Sequence, residues 1–186
     1  NCRAGEWKNM PDGASYKEGT TATVSGTVPT REGYVFTGWN TAANGSGTSY
    51  KAKDQITMNS NVTLYAQWTE KDKVTLRYVV DPAAGGSLTN AIESINPETG
   101  VPAGSAVTVN EGYEFAGWYC GTRLVSDQLV LTKEVIDQYA KNNNVYATTT
   151  FVAKLRKDIN ICEVDSPSDS TYDGVEHKWT PTVKDG

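Results

Sequence analysis

The sequence predicts a mainly β protein of the α+β class, organised as tandem small domains with one short helix. Its 186 residues include 23 Thr and 18 Val but only 7 Leu, and β-branched residues suit pleated strands better than helices. The second observation is an internal repeat, which predicts two domains of one design. With 38% apolar and 10% aromatic residues, the chain can fill packed cores, which excludes wholesale disorder.

The repeat is most evident in an octapeptide that recurs 79 positions later. Glu32-Gly-Tyr-Val-Phe-Thr-Gly-Trp39 and Glu111-Gly-Tyr-Glu-Phe-Ala-Gly-Trp118 are identical at six of eight positions. Each copy follows a Gly and a Thr/Val-rich stretch, and each precedes an Asn-Val pair placed seven residues before an aromatic residue. Three matched blocks in one order predict that residues 1–69 and 70–157 are duplicated domains.

In the first domain we expect strands at 20–25, 33–39 and 61–68, because apolar and polar residues alternate or β-branched residues cluster there. Gly33 follows Glu32 in a predicted turn and supplies a positive φ. Gly38, inside a strand, predicts a bulge or a close backbone approach beneath Trp39. The stretch 40–49 is a turn-rich loop, and 1–10 is the remnant of a first strand.

The second domain opens with a β-branched strand at 74–80, which Pro and Gly residues at 82–86 interrupt. We expect a returning strand at 87–95 and a turn at 96–100. Gly112 and Gly117 repeat the turn and bulge of the first domain.

The one helix is predicted at 132–141. Thr132 can cap it, Glu134 lies in its first turn, and Lys141 complements its last turn. The three Asn residues that follow provide a stop. One face is apolar and consists of Val135, Ile136, Tyr139 and Ala140.

Residues 158–186 differ from both domains in charge. They hold two basic and seven acidic residues, which accounts for the net charge of -5 of the whole chain. Asp165-Ser-Pro-Ser-Asp-Ser-Thr171 indicates a solvated linker. No basic stripe is present to neutralise phosphates, so we expect no nucleic-acid partner. No apolar run of about 18 residues is present, so we expect no membrane insertion, and we expect any export signal to lie outside this sequence.

Candidate chemistry is sparse, and we expect no catalytic residue, no metal ligand and no cofactor. His177 is the single histidine and has no evident partner for acid–base catalysis. Cys2, Cys120 and Cys162 fit no zinc spacing. They are either three free thiols, which we favour, or include a Cys120–Cys162 disulfide. Asp165, Asp169 and Asp173 recur every fourth residue, which does not fit a calcium loop.

Carboxylates and aromatic rings leave two alternatives open. Glu32 and Glu111 match between the repeats and are better explained as turn residues than as catalytic acids, although any two carboxylates could form a glycosidase pair in space. The matched pairs Tyr34/Trp39 and Tyr113/Trp118 are better explained as core residues than as sugar-stacking platforms.

The stretch from Gly38 to Tyr50, with Ile56-Thr-Met58 and Asn61-Val-Thr-Leu-Tyr-Ala-Gln-Trp68, resembles the Listeria–Bacteroides repeat, or internalin B-repeat. The resemblance covers about 13–68. The second copy, about 73–155, is similar to the longer, diverged repeats found beside the first type. Residues 172–186 resemble the opening of a bacterial immunoglobulin-like repeat.

This resemblance implies a β-grasp-like fold and a non-catalytic module of an extracellular, wall-anchored surface protein of a Gram-positive bacterium. The implied role is that of a stalk or spacer in adhesion, acting as a monomer. Its ligand-binding residues are unknown, and the expected partners, reached through the parent protein, are a host glycan or an extracellular matrix protein. Lys–Asn isopeptide cross-links are possible in such modules.

Two rival functions follow from other residues. An adhesin or carbohydrate-binding module would expose Trp7, Tyr119 and Trp179 as stacking platforms. An enzyme would need a concave pocket with two carboxylates about 5–9 Å apart.

Overall fold

The computed structural model describes residues 7–158 and two short paired strands, 163–164 and 183–184. The chain divides into two compact units. The first unit comprises residues 1–75, 94–102 and 140–148, and the second comprises residues 76–93, 103–139 and 149–186. The first unit thus contains two segments that are separated in sequence from residues 1–75.

The described residues are mainly strands, which confirms the predicted fold class. The strands are β1 Trp7–Lys8, β2 Thr21–Thr23, β3 Thr30–Arg31, β4 Tyr34–Asn40, β5 Ser49–Tyr50, β6 Gln55–Thr57, β7 Tyr65–Glu70, β8 Val74–Asp81, β9 Gly86–Leu88, β10 Ile92–Ile95, β11 Ser105–Val109, β12 Tyr113–Cys120, β13 Arg123–Ser126, β14 Val130–Leu131, β15 Lys141–Asn142, β16 Val145–Tyr146, β17 Thr149–Lys157, β18 Glu163–Val164 and β19 Val183–Lys184. A 3₁₀ turn spans Ala83–Gly85, and helix α1 spans Lys133–Ala140.

The first unit is built around β4, which pairs with β5 on one side and β7 on the other, both antiparallel. Separate two-stranded pairings join β2 to β6 and β1 to β3. The β15–β16 hairpin also belongs to this unit.

Most residues of a five-stranded sheet in the order β10-β8-β17-β12-β13 belong to the second unit, as does the whole of a three-stranded sheet in the order β14-β11-β9. In the larger sheet, β8 and β17 run parallel, whereas β12 is antiparallel to both β17 and β13.

The octapeptide forms the same structure in both units. Gly33 and Gly112 have φ of +78° and +81°, as the turn prediction requires. The register of β4 on β7 shifts between Phe36 and Gly38, and that of β12 on β17 shifts between Phe115 and Gly117. The predicted bulges are therefore confirmed, and the repeat is a repeat of backbone geometry as well as of sequence.

The two matched tryptophans lie in the cores. Trp39 is 5% exposed and Trp118 is 0% exposed. Trp39 meets the Phe36 ring edge-on at 5.2 Å between centroids, and Trp118 meets Tyr78 edge-on at 6.3 Å. Burial of these rings confirms the core interpretation and excludes Trp39 and Trp118 as sugar platforms.

Helix α1 confirms the helix prediction to within one residue at each end. Glu134 in its first turn hydrogen-bonds Thr132, which lowers the pKa of Glu134, and Ile136 and Ala140 are buried. The predicted Asn stop is a hairpin turn, because Asn143 and Asn144 adopt φ of 49° and 64° between β15 and β16. Two consecutive positive φ values are typical of a tight hairpin turn.

Some strand bounds differ from the predictions. The strand predicted at 61–68 begins only at Tyr65, and residues 61–64 are irregular. The single strand predicted at 87–95 is two strands, β9 and β10, that join different sheets. Trp7 and Lys8 do form a short strand, which pairs with Thr30–Arg31.

Candidate functional site

The Glu32-Gly33 turn is the centre of a hydrogen-bond cluster within the first unit. Gly33 donates its N–H to the Glu98 carboxylate, and its carbonyl oxygen accepts the Asn96 side-chain amide at 2.9 Å. The backbone N–H of Lys71 donates to the same carbonyl at 2.9 Å. We call the four residues Gly33, Lys71, Asn96 and Glu98 the Gly33 clamp.

Gly33 is required in the clamp for two reasons. Its φ of +78° lies in the left-handed region, where other residues are strained. A Cβ at this position would also lie 3.0 Å from Asn96 Oδ1 and 3.0 Å from Thr99 Oγ1. The loop that carries Asn96 therefore approaches the turn as closely as a glycine permits.

Asn96 organises this loop from a buried position. It is 6% exposed, and its Oδ1 accepts the backbone N–H groups of Glu98 and Thr99 at 3.0 and 3.1 Å. This is the local pattern by which Asn stabilises a turn. Its amide also reaches Glu70 Oε1 at 3.3 Å. Both ends of the buried amide are thus satisfied, as burial of a polar group demands.

Glu98 is a fixed anion rather than a proton donor. Lys71 Nζ forms an ion pair with its carboxylate. The hydrogen bond from Lys71, followed by that from the Gly33 N–H, holds the pKa of Glu98 below its ordinary value. Glu32 and Glu98 line one open cleft of the first unit, but a glycosidase pair needs one carboxyl that stays protonated. Glu98 has the opposite property and does not supply that acid.

The aromatic residues predicted as stacking platforms are partly covered or lie outside the described residues. The Trp7 ring packs at 5.4 Å from Trp68, with Arg31 over it at 4.6 Å. Lys154 Nζ lies 4.7 Å from the centroid of the Tyr119 ring. Trp179 lies outside the described residues. Trp7 and Tyr119 therefore do not resemble the bare, paired rings that the carbohydrate-binding alternative requires.

Other candidate residues add no reactive centre in the described part of the chain. Cys120 is a half-buried free cysteine, which agrees with the favoured interpretation of unpaired thiols, whereas Cys2 and Cys162 lie outside the described residues. His177, Asp165, Asp169 and Asp173 are also outside them. Within the described residues, no three His, Cys, Asp or Glu side chains gather as metal ligands. No described helix has the length and apolar character needed to cross a membrane.

The sequence predicts both turns of the clamp but not the hydrogen bonds between them. The turn at 96–100 and the turn at Gly33 were both predicted, yet Asn96 and Glu98 were not singled out. Lys71 and Glu98 are 27 positions apart, and Asn96 and Gly33 are 63 apart. The available signal was the sequence Asn-Pro-Glu-Thr-Gly, which predicts an Asn-stabilised turn but not what it binds.

Comparison with known proteins agrees with the repeat architecture. Residues 4–67 match the family model of the Listeria-Bacteroides repeat domain, and residues 76–154 match that of the divergent InlB B-repeat domain. Both matches confirm the resemblance of the two halves to B-repeats. No solved structure matches this chain.

Two relatives are similar to about half of this chain. Internalin H of Listeria monocytogenes is 35% identical over 96 residues, which cover 50% of this chain and 15% of that protein. A protein of Evansella cellulosilytica named as a Gly-rich membrane protein is 37% identical over 95 residues, which cover 48% of this chain and 10% of that protein. The chain thus spans a small part of each relative.

Proposed function

We propose that this chain, which matches the Listeria-Bacteroides repeat domain over residues 4–67 and the divergent InlB B-repeat domain over residues 76–154, is a non-catalytic stalk or spacer in a bacterial surface protein. Its relatives support a surface or extracellular location. Anchoring to the wall of a Gram-positive cell, and a role in presenting an adhesive region to a host glycan or matrix protein, are parts of the same proposal.

The observation that carries the proposal is the composition of the first unit. Residues 94–102 and 140–148 fall inside the match to the second repeat, yet they pack in one unit with residues 1–75. The Gly33 clamp supplies to this packing one buried hydrogen bond, from Asn96, and two part-buried, charge-assisted contacts to the Glu98 carboxylate. A spacer benefits from such contacts, because repeats that support their neighbours add length without new chemistry.

Small-angle X-ray scattering can test the spacer role. The full chain is compared with a chain in which residues 1–158 are duplicated in tandem, and both are expected to be monomers. A spacer gains nearly the full length of the added repeats in maximum dimension. A compact globule would grow only as about the 0.38 power of chain length, and growth of that kind would contradict the proposal.

A further inference from the structure

We propose that an open cleft of the first unit, centred on Arg31, binds the carboxylate of an acidic peptide segment from a partner protein. The cleft has a volume of about 970 Å³, which is in the range of ligand sites. Every residue that lines it belongs to the first unit. This inference goes beyond the spacer role, which does not require a ligand.

Arg31 is held in place by two aromatic rings. Its guanidinium carbon lies 3.8 Å from the centroid of Tyr34 and 4.6 Å from that of Trp7. Trp7 is also its cross-strand neighbour in the β1–β3 pair. Stacking of this kind orients a guanidinium without consuming its N–H donors. The long side chain is therefore ordered before any ligand arrives, which reduces the entropy cost of binding.

The donors of Arg31 have no acceptor among the described residues. The ion pair among the described residues of the first unit joins Lys71 to Glu98, and no side-chain hydrogen bond links Arg31 to a carboxylate or carbonyl in that part of the chain. A stacked guanidinium with free donors matches a carboxylate, which accepts two parallel N–H bonds.

The charge of the cleft favours an anion. Five ionisable side chains with formal charge line it, namely Lys8, Arg31, Lys71, Glu32 and Glu98. Lys71 and Glu98 neutralise each other in the clamp, which leaves Lys8 and Arg31 against Glu32. The cleft is thus locally positive in a chain whose net charge is -5.

The apolar lining favours a peptide over a glycan. Val28, Val35 and Val145 line the cleft and are 55%, 51% and 38% exposed, which offers contact to aliphatic side chains. The aromatic rings are already engaged, because Arg31 covers Tyr34, and Trp68 lies between Trp7 and Phe36 at 5.4 and 5.5 Å. The ligand class is therefore a peptide with Asp or Glu flanked by aliphatic residues.

The test is a chemical-shift titration of the full chain with a blocked peptide, acetyl-Gly-Val-Asp-Val-Glu-Val-Gly-amide, at low salt. Backbone signals of residues 28–35 and 143–145 are expected to shift together and to saturate. A peptide with Asn and Gln in place of Asp and Glu is the ligand control. Arg31→Gln should weaken binding about tenfold or more, because a hydrogen bond to a charged group is lost.

Variants separate binding from folding. Arg31→Lys keeps the charge and the aliphatic stem but cannot form the forked contact, so it should also weaken binding while retaining the native spectrum. Arg156→Gln is the matched control, because Arg156 is exposed on β17 and pairs with Glu114, and it should leave binding unchanged. Three results would overturn the proposal: Arg31 variants that bind the peptide as tightly as the native protein does, a titration that does not saturate, or tighter binding of a galacturonate hexasaccharide than of the peptide. None of these results would alter the scattering test of the spacer.

Discussion

Asn96 donates its side-chain amide to the carbonyl oxygen of Gly33 at 2.9 Å, across 63 positions of sequence. Asn96 is 6% exposed, and the same side chain holds its own loop through two backbone N–H groups. One buried residue therefore joins a turn of the first repeat to a loop from the second repeat within the first compact unit.

Asn96→Ala should destabilise the protein by about 1–3 kcal/mol, because the backbone groups of Gly33, Glu98 and Thr99 each lose a hydrogen bond to the buried Asn96 side chain. Urea unfolding followed by tryptophan fluorescence measures the free energy of unfolding. Asn110→Ala is the control, since the Asn110 amide makes one exposed bond to the Ala84 carbonyl at 2.9 Å. Equal effects of the two substitutions would mean that the clamp contributes nothing specific.

Gly33→Ala should cost more than Gly112→Ala. The two glycines have nearly the same φ, +78° and +81°, so both substitutions introduce similar left-handed strain. Only at Gly33 would the new methyl group meet the Asn96 loop at 3.0 Å, whereas no described atom lies within 4 Å of a Cβ at Gly112. We expect the difference in unfolding free energy to be about 1 kcal/mol or more. A larger loss at Gly112 would contradict the asymmetry.

Local features of the fold were predictable because their causes are local. The glycines Gly33 and Gly117 indicate a turn and a bulge because the backbone conformation at each position favours glycine. The segment from Thr132 to Ala140 contains both the capping residue and the apolar face of its helix. The division of 87–95 into β9 and β10 was not predictable, because the two strands pair in different sheets. Their separation depends on partners distant in the chain.

The candidate sites were less predictable than the fold for the same reason. Asn96, Glu98 and Arg31 are ordinary residues in sequence, and each gains its role from groups that folding places beside it. Arg31 becomes a candidate only when Trp7 and Tyr34 flank its guanidinium. The internal repeat does not indicate the role of Arg31, because the residues that the two copies share, such as Trp39, are core residues.

Acidification should weaken the Glu98 contact. The pKa of Glu98 is lower in the folded state than its ordinary value of 4.5, chiefly because of the Lys71 hydrogen bond and then the Gly33 N–H. A depressed pKa contributes stability that is present above the unfolded value and is lost as the pH falls through the folded value. Glu98→Gln removes this contribution, so the stability difference between the native protein and Glu98→Gln should shrink as the pH falls below 4.5.

Urea unfolding at several pH values between neutrality and strong acid measures this difference. Glu114→Gln serves as control, since Glu114 pairs with Arg156 where both side chains are largely exposed, at 42% and 71%, and such pairs contribute little. A difference between native and Glu98→Gln proteins that stays constant with pH would show that the Lys71 pair does not stabilise the fold.

The matched tryptophans should respond unequally to the same substitution. Trp118 Nε1 donates to the Leu129 carbonyl at 3.3 Å, whereas Trp39 Nε1 is buried and has no partner among the described residues. Trp118→Phe therefore loses a hydrogen bond along with ring volume, while Trp39→Phe loses similar volume and removes an unsatisfied donor. The Leu129 carbonyl keeps the Val107 N–H at 3.0 Å in either case. We expect Trp118→Phe to be more destabilising by about 1–3 kcal/mol in urea unfolding, with each variant monitored by the remaining tryptophans. If Trp39→Phe were the more damaging substitution, ring packing rather than the indole N–H would distinguish the two cores.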